Sequence, residues 1–333
     1  MLKKLLHKNE TYVLFLIIAI GVFINFNNPL FFTFENISGS LKSYSMVGIM
    51  AVGTLFVLIL GGTDVSFTAI AQVVEYVVVW FTMAHGGNIY MAFLEAAVLG
   101  IFLGIINGLI IHYFKVPIII VTIATFNIYF GLLYVITQGK LLNNIPVVFK
   151  DFGNVLLFAQ TSKIGGTYGL SLMPLIWLAA LLLGWFILRK TMAGRNIFAV
   201  GGNEVAAERI GIATLRTRLF VFGFVGFLAG IAAIVHVSIV QSVVPNIIVG
   251  KELEVIAAVV IGGASIFGGK GTILGTLLGV LLFAMLNNGL TLLRISSYWY
   301  SVTIGAIIIA AISVSAWQKL SKARNNVKVR IEE

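Results

Sequence analysis

Apolar runs long enough to cross a bilayer recur along almost the whole chain, and that repetition limits the fold more than any other feature. They fall at 11–26, 44–62, 66–84, 89–113, 117–137, 172–188, 218–240, 254–268, 272–290 and 300–317. A spanning helix needs about 20 mostly apolar residues, because the hydrocarbon layer is about 30 Å thick and each residue rises about 1.5 Å. Only 10% of the 333 residues are charged, against about 25% in soluble domains. The expected fold is all-α: one polytopic transmembrane unit over residues 1–333, with about ten helices. The basic start "MLKKLLHK" leads into apolar sequence without a small-residue cleavage site, so it is expected to stay as the first helix.

Ten spans put both termini on one side of the membrane. Sixteen of the 22 lysines and arginines fall on that side, leaving Lys42, Lys140, Lys150, Lys163, Lys251 and Arg294 on the other. Cations accumulate on cytoplasmic loops, so both termini are expected to be cytoplasmic. The net charge of +10 then reflects topology, and nucleic acid is not an expected partner. The chain has no cysteine, which excludes disulfides, thiolate metal sites and cysteine nucleophiles. With no metal-ligand spacing or nucleophile elbow in view, no enzymatic chemistry and no cofactor are expected.

Three polar segments punctuate the pattern: 138–171 outside, 189–217 inside, and a basic tail at 318–333 inside. The external one has room for a small surface helix. In the internal one, Asn203 can cap a helix with Glu204 in its first turn, Ala206, Ala207 and Ile210 on an apolar stripe, and Gly211 at its end. So short a helix is marginal alone and should pack against something. Paired glycines in "ILGGTDVS" and "VIGGASIFGGKG" mark places where helices break inside a membrane. The segment between Glu254 and Lys270 is also short for a full crossing.

Polar residues inside spans are the candidate functional groups. Thr68, Gln72 and Glu75 follow i, i+4, i+7 spacing and share a helix face. An ionised side chain at mid-membrane costs about 2.5–3.5 kcal/mol on insertion scales, so Glu75 should face protein or a water-filled path. It either lines a solute pathway or pairs with another helix. Asp64 either accepts the free N–H groups at the start of the next helix, with Ser66 as a secondary cap, or contacts solute. His236 is a hydrogen-bonded structural residue or a ligand contact. Asn287 and Asn288 bond across helices or to a passing polar solute. Gly100, Gly104 and Gly108 allow close helix approach within the chain, and Glu95 reads as interfacial.

"GGTDVS" at 61–66 resembles the GG-[IT]-D-[LV]-S signature of bacterial ABC-importer permeases for ribose and related sugars, including the autoinducer-2 permeases. Further matches follow in order: "GIINGLIIHYFKVPIIIVTIATF" at 104–126, "TMAGRNIFAVGGNEVAAERIGI" at 191–212, "ELEVIAAVVIGGASIFGGKGTILGTLLG" at 252–279 and "LNNGLTLLRISSYW" at 286–299. The resemblance implies a multi-pass permease of the bacterial plasma membrane, embedded in lipid and importing a small polyhydroxylated solute. It also implies three protein partners: an ABC ATPase, an extracytoplasmic sugar-binding protein, and a second permease subunit, identical or paralogous. No phosphate-binding loop is present, since "GGKGT" has Ala264 and Gly271 where that loop needs glycine and Ser or Thr. ATP hydrolysis is therefore expected in a partner. The helix around 203–211 is implied to be the coupling element in the ATPase groove, with Gly194, Gly201 and Gly202 allowing a tight turn into it. Arg195, Glu204 and Arg209 would supply polar contacts there, around Ala207. Phe67, Thr68, Gln72 and Glu75 stand where such permeases carry small or apolar residues, and His236 where they often carry arginine. Nucleoside or branched-chain amino-acid permeases are the nearest alternatives. A proton-coupled secondary transporter using Glu75 and His236 is the alternative from another class.

Overall fold

The computed structural model describes residues 9–161, 167–296, 298–309 and 313. Lys163, the basic tail and the end of the 300–317 run lie outside the described residues. Among the described residues, eight helices are long and apolar enough to cross a membrane. They are α1 (Asn9–Asn27), α2 (Phe34–Leu60), α3 (Phe67–His85), α4 (Ile89–Phe114), α5 (Ile118–Thr137), α7 (Met173–Lys190), α10 (Thr214–Val240) and α12 (Ile273–Leu292). Between them lie α6 (Val147–Asn154), strands β1 (Leu156–Thr161) and β2 (Thr167–Ser171), α8 (Met192–Gly202), α9 (Glu204–Arg209) and α11 (Glu252–Ile261). Helix α13 covers Tyr298–Ile309.

Local chemistry sets the helix ends. Thr33, Asn88 and Thr272 cap α2, α4 and α12 by accepting the N–H of Asn36, Met91 and Gly275 at 3.3, 2.9 and 3.0 Å. At the other end of α2 the chain turns through Gly61 at φ 99°, a conformation that favours glycine.

Helix α2 is the centre of the molecule. Every residue from Tyr44 to Leu60 is buried, so it meets other helices on all sides. The outer helices leave large apolar faces for lipid, as at Phe15, Phe23, Leu94 and Ile120. Helices α4 and α10 approach backbone to backbone: a Cβ on Gly100 or Gly104 would overlap the carbonyl of Gly226 or Phe222. The small-residue spacing on α4 thus serves packing inside the chain, as expected from its sequence.

Three expectations need correction. The run at 254–268 does not form a crossing helix. Helix α11 has ten residues, about 15 Å at 1.5 Å per residue, and ends at Ile261 where Gly262 and Gly263 follow. Residues 241–251 ahead of it carry no regular helix or strand. The internal segment holds two helices, α8 and α9, rather than one. The 138–171 segment has the expected small helix, α6, but also an unexpected antiparallel hairpin pairing Leu156 with Ser171 and Thr161 with Thr167; the fold is otherwise all-α, as expected.

Candidate functional site: polar networks around the helix breaks

Non-helical backbone at membrane depth must find hydrogen-bond partners within the protein, and the buried polar side chains meet that demand. In the break at 61–66, the Asp64 carboxylate accepts from the Ser66 N–H at 2.7 Å and from the Ser66 hydroxyl at 2.6 Å. Asn107 of α4 donates to the Ser66 hydroxyl at 2.7 Å, and Tyr129 of α5 donates to the Asn107 carbonyl oxygen at 3.2 Å. Thr122 accepts the Val65 N–H at 3.4 Å. Asp64 therefore holds the residue that begins α3, while Ser66 makes no side-chain cap. Its hydroxyl is spent on Asp64. The second carboxylate oxygen, Oδ2, is buried with no hydrogen-bond partner among the described residues.

The stripe on α3 does share one face, as its spacing requires, and it grips the non-helical 241–251 segment and α10. Thr68 donates to Glu252. The Gln72 carbonyl oxygen accepts the Ile248 N–H at 2.9 Å. Glu75 is wholly buried, with Oε1 2.9 Å from His236 Nδ1 on α10 and Oε2 3.5 Å from the Gln72 amide nitrogen. The structure thus brings together Thr68, Gln72, Glu75 and His236.

Asn287 and Asn288 lie elsewhere, near the C-terminal end of α12. Asn288 exchanges amide hydrogen bonds with Asn36 of α2 at 2.8 and 2.9 Å. Asn287 lines an open groove of about 610 Å³ between α2 and α12, with Glu35, Asn36, Ser40, Ser43 and Thr291. Tyr44 forms its floor and belongs to a network that sequence reasoning misses. The Tyr44 and Tyr300 hydroxyls are 2.9 Å apart, Tyr300 donates to Glu254 at 2.6 Å, and Lys251 reaches the other Glu254 oxygen at 3.1 Å. Asn107, Tyr129 and Glu252 are missed as well. The available signal was a lone amide in "GIINGLII" and two glutamates beginning a run too short to cross.

In the 189–217 segment Asn203 caps α9 as expected, accepting from Ala206 at 3.0 Å, and Gly211 follows it at φ 86°. Only Ala207 of its stripe is buried; Val205 and Ile210 are 59% and 76% exposed. Glu204 pairs with Arg218 at 2.5 Å, while Arg195 and Arg209 are exposed. Gly194 and Gly201 do not make the expected turn: both lie within α8. A Cβ on Gly194 would overlap the Ile187 carbonyl oxygen, and one on Gly201 the Ile59 carbonyl oxygen at the end of α2. Gly202 ends α8 in open space. The turn after α11 joins the same place, with the Gly269 N–H donating to Ile59 at 2.9 Å. A Cβ on Gly268 would lie 2.8 Å from the Gly61 Cα. The two glycine-rich stretches therefore end side by side, against α8. Among the described residues no group of three or more His, Asp or Glu side chains is placed to hold a metal ion.

Buried helix breaks lined with polar side chains and, among the described residues, eight bilayer-length helices are the features of a membrane permease. Residues 36–312 match the family described as branched-chain amino acid transport system / permease component, and the chain belongs to that family. It is a multi-pass protein of the bacterial inner membrane. It is 35% identical to the ribose import permease protein RbsC of Haemophilus influenzae, over 89% of this chain and 90% of that one. Similarity to RbsC of Bacillus subtilis is 34%, over 87% and 88%. The autoinducer 2 import system permease protein LsrC of Photorhabdus luminescens is 28% identical, over 94% and 91%. No solved structure matches the chain.

Proposed function

We propose that this chain is the membrane-spanning subunit of an ATP-driven, binding-protein-dependent importer of a monosaccharide or a similarly hydroxylated solute. The observation that carries the reading is the match, over about nine tenths of both chains, to proteins named ribose import permeases. The geometry supports it. Val205, Ile210, Arg195 and Arg209 on α8 and α9 offer an apolar and cationic surface to an ATPase. Gly201 links that surface to the end of α2 and to the turn after α11.

In this reading ATP-driven movement of α8 and α9 shifts α11 and the 241–251 segment, whose hold on α3 runs through Thr68 and Gln72, beside the Glu75–His236 pair that ties α3 to α10. Those residues, with Asp64 and Ser66, flank the inner pathway, and Asn287 and Asn288 flank its outer mouth. A binding protein delivers solute at the outer face, and a second permease copy or paralogue completes the channel. The test is reconstitution of the permease with its ATPase and binding protein, followed by ATP-dependent uptake of D-ribose. Uptake of leucine but no sugar would favour an amino-acid permease. Accumulation driven by a proton gradient without ATP would refute the importer reading.

A further inference from the structure

The groove between α2 and α12 is built for one kind of solute. Its volume, about 610 Å³, lies within the range of small-molecule sites, about 300–1,000 Å³. Its walls carry the hydroxyls of Ser40, Ser43 and Thr291 and the amides of Asn36, Asn287 and Asn288. Asn36 and Asn288 satisfy each other and brace the walls. Among the described residues, the Asn287 amide, the Ser40 hydroxyl and the Glu35 carboxylate make no hydrogen bond within the protein. They come from opposite walls, and together they offer donors and acceptors.

That mixture matches a sugar hydroxyl, which both donates and accepts. It does not match an anion. Carboxylates and phosphates are held by Arg, Lys or clustered N–H groups, and the described lining contains neither Lys nor Arg while Glu35 adds a negative charge. An amino-acid carboxylate or a sugar phosphate would meet repulsion and no cation.

We propose that this groove is an outer subsite for a neutral polyhydroxylated solute, occupied after release from the binding protein and before passage inward. The proposal rests on the importer reading above. Its floor is Tyr44, joined through Tyr300 to Glu254 of α11, so an occupant sits over the network that holds the short helix.

The natural absence of cysteine gives a direct test. Gly39 lines the groove, and a Cβ there meets nothing within 4 Å. Gly39→Cys therefore places a thiol in open space without touching the polar groups. In the reconstituted complex, a hydrophilic methanethiosulfonate at this thiol should reduce D-ribose uptake about tenfold, a change of about 1.4 kcal/mol in the barrier. Dithiothreitol should restore it, D-ribose should slow the modification, and a cationic reagent should react faster than an anionic one. Wild-type complex under the same reagent controls for thiols in the partners, and Leu292→Cys serves if Gly39→Cys does not assemble. Complete modification with unchanged uptake would overturn the subsite, as would blocked uptake with no protection by D-ribose. In both cases wild-type ribose uptake leaves the importer reading standing. A wild-type complex that imports no neutral sugar would remove that reading and the subsite with it.

Discussion

The pair formed by Glu75 and His236 allows a quantitative test of what a carboxylate does inside this membrane domain. Glu75 is fully buried and His236 nearly so, with 2.9 Å between Oε1 and Nδ1. Glu75→Leu leaves the histidine and the Gln72 amide without their partner, and leaving a buried polar group unsatisfied costs about 1–3 kcal/mol. Glu75→Gln keeps an acceptor for His236 but loses the charge. Hydrogen bonds to charged groups contribute about 1.5–3 kcal/mol and neutral ones about 0.5–1.5, so this change should cost about 1 kcal/mol. Replacing both residues by leucine removes the need for a partner, and such replacements are often neutral or stabilising. The double variant should therefore be more stable than Glu75→Leu alone. The assay is unfolding of the purified permease by titration with denaturing detergent, followed by tryptophan fluorescence, with ATP-driven uptake per assembled complex measured in parallel. Additive single and double effects would refute the pairing argument. If stability returns in the double variant while uptake per complex does not, Glu75 also serves the passage of solute; if both return together, its role is structural.

Two further outcomes follow from the cytoplasmic face. Val205→Asp with Ile210→Asp should leave the permease folded, since both side chains are exposed, but should lower the yield of co-purified ATPase; unchanged yield and uptake would exclude α9 as the docking element. Gly268→Ala puts a Cβ against the Gly61 Cα at a residue with φ 87°, an overpacking of about 1–3 kcal/mol. It should separate ATP hydrolysis from uptake, and retention of normal uptake per ATP hydrolysed would show that this glycine junction carries no motion.

How much of this was legible in the sequence depends on the distance over which each feature is determined. Long helices announce themselves by composition, and caps such as Asn203 by the residues beside them. The breaks at 61–66 and 262–271 show as glycine pairs, because the requirement for a positive φ or a close backbone approach acts at the residue itself. The glycines of α8 mislead for the same reason: they suggest a turn, whereas Gly194 and Gly201 are needed by backbone from α7 and α2. What a break contacts is set by residues far away in the chain. The Ile248 N–H finds Gln72 across 176 residues, and Glu252 finds Thr68 across 184. No local pattern separates such a segment from an ordinary loop. The same physics explains why Asp64 and Gln72 stand in apolar sequence. A chain that unwinds a helix inside a membrane exposes N–H and C=O groups that lipid cannot satisfy, and a nearby helix must then carry side chains that can. An unmatched polar residue in a span, as at Asn107, is thus a sign of irregular backbone or another polar group close by. In this permease Asn107 meets Ser66 at the edge of the first break. The carboxylate of Asp64 keeps one buried oxygen without a hydrogen-bond partner among the described residues even there.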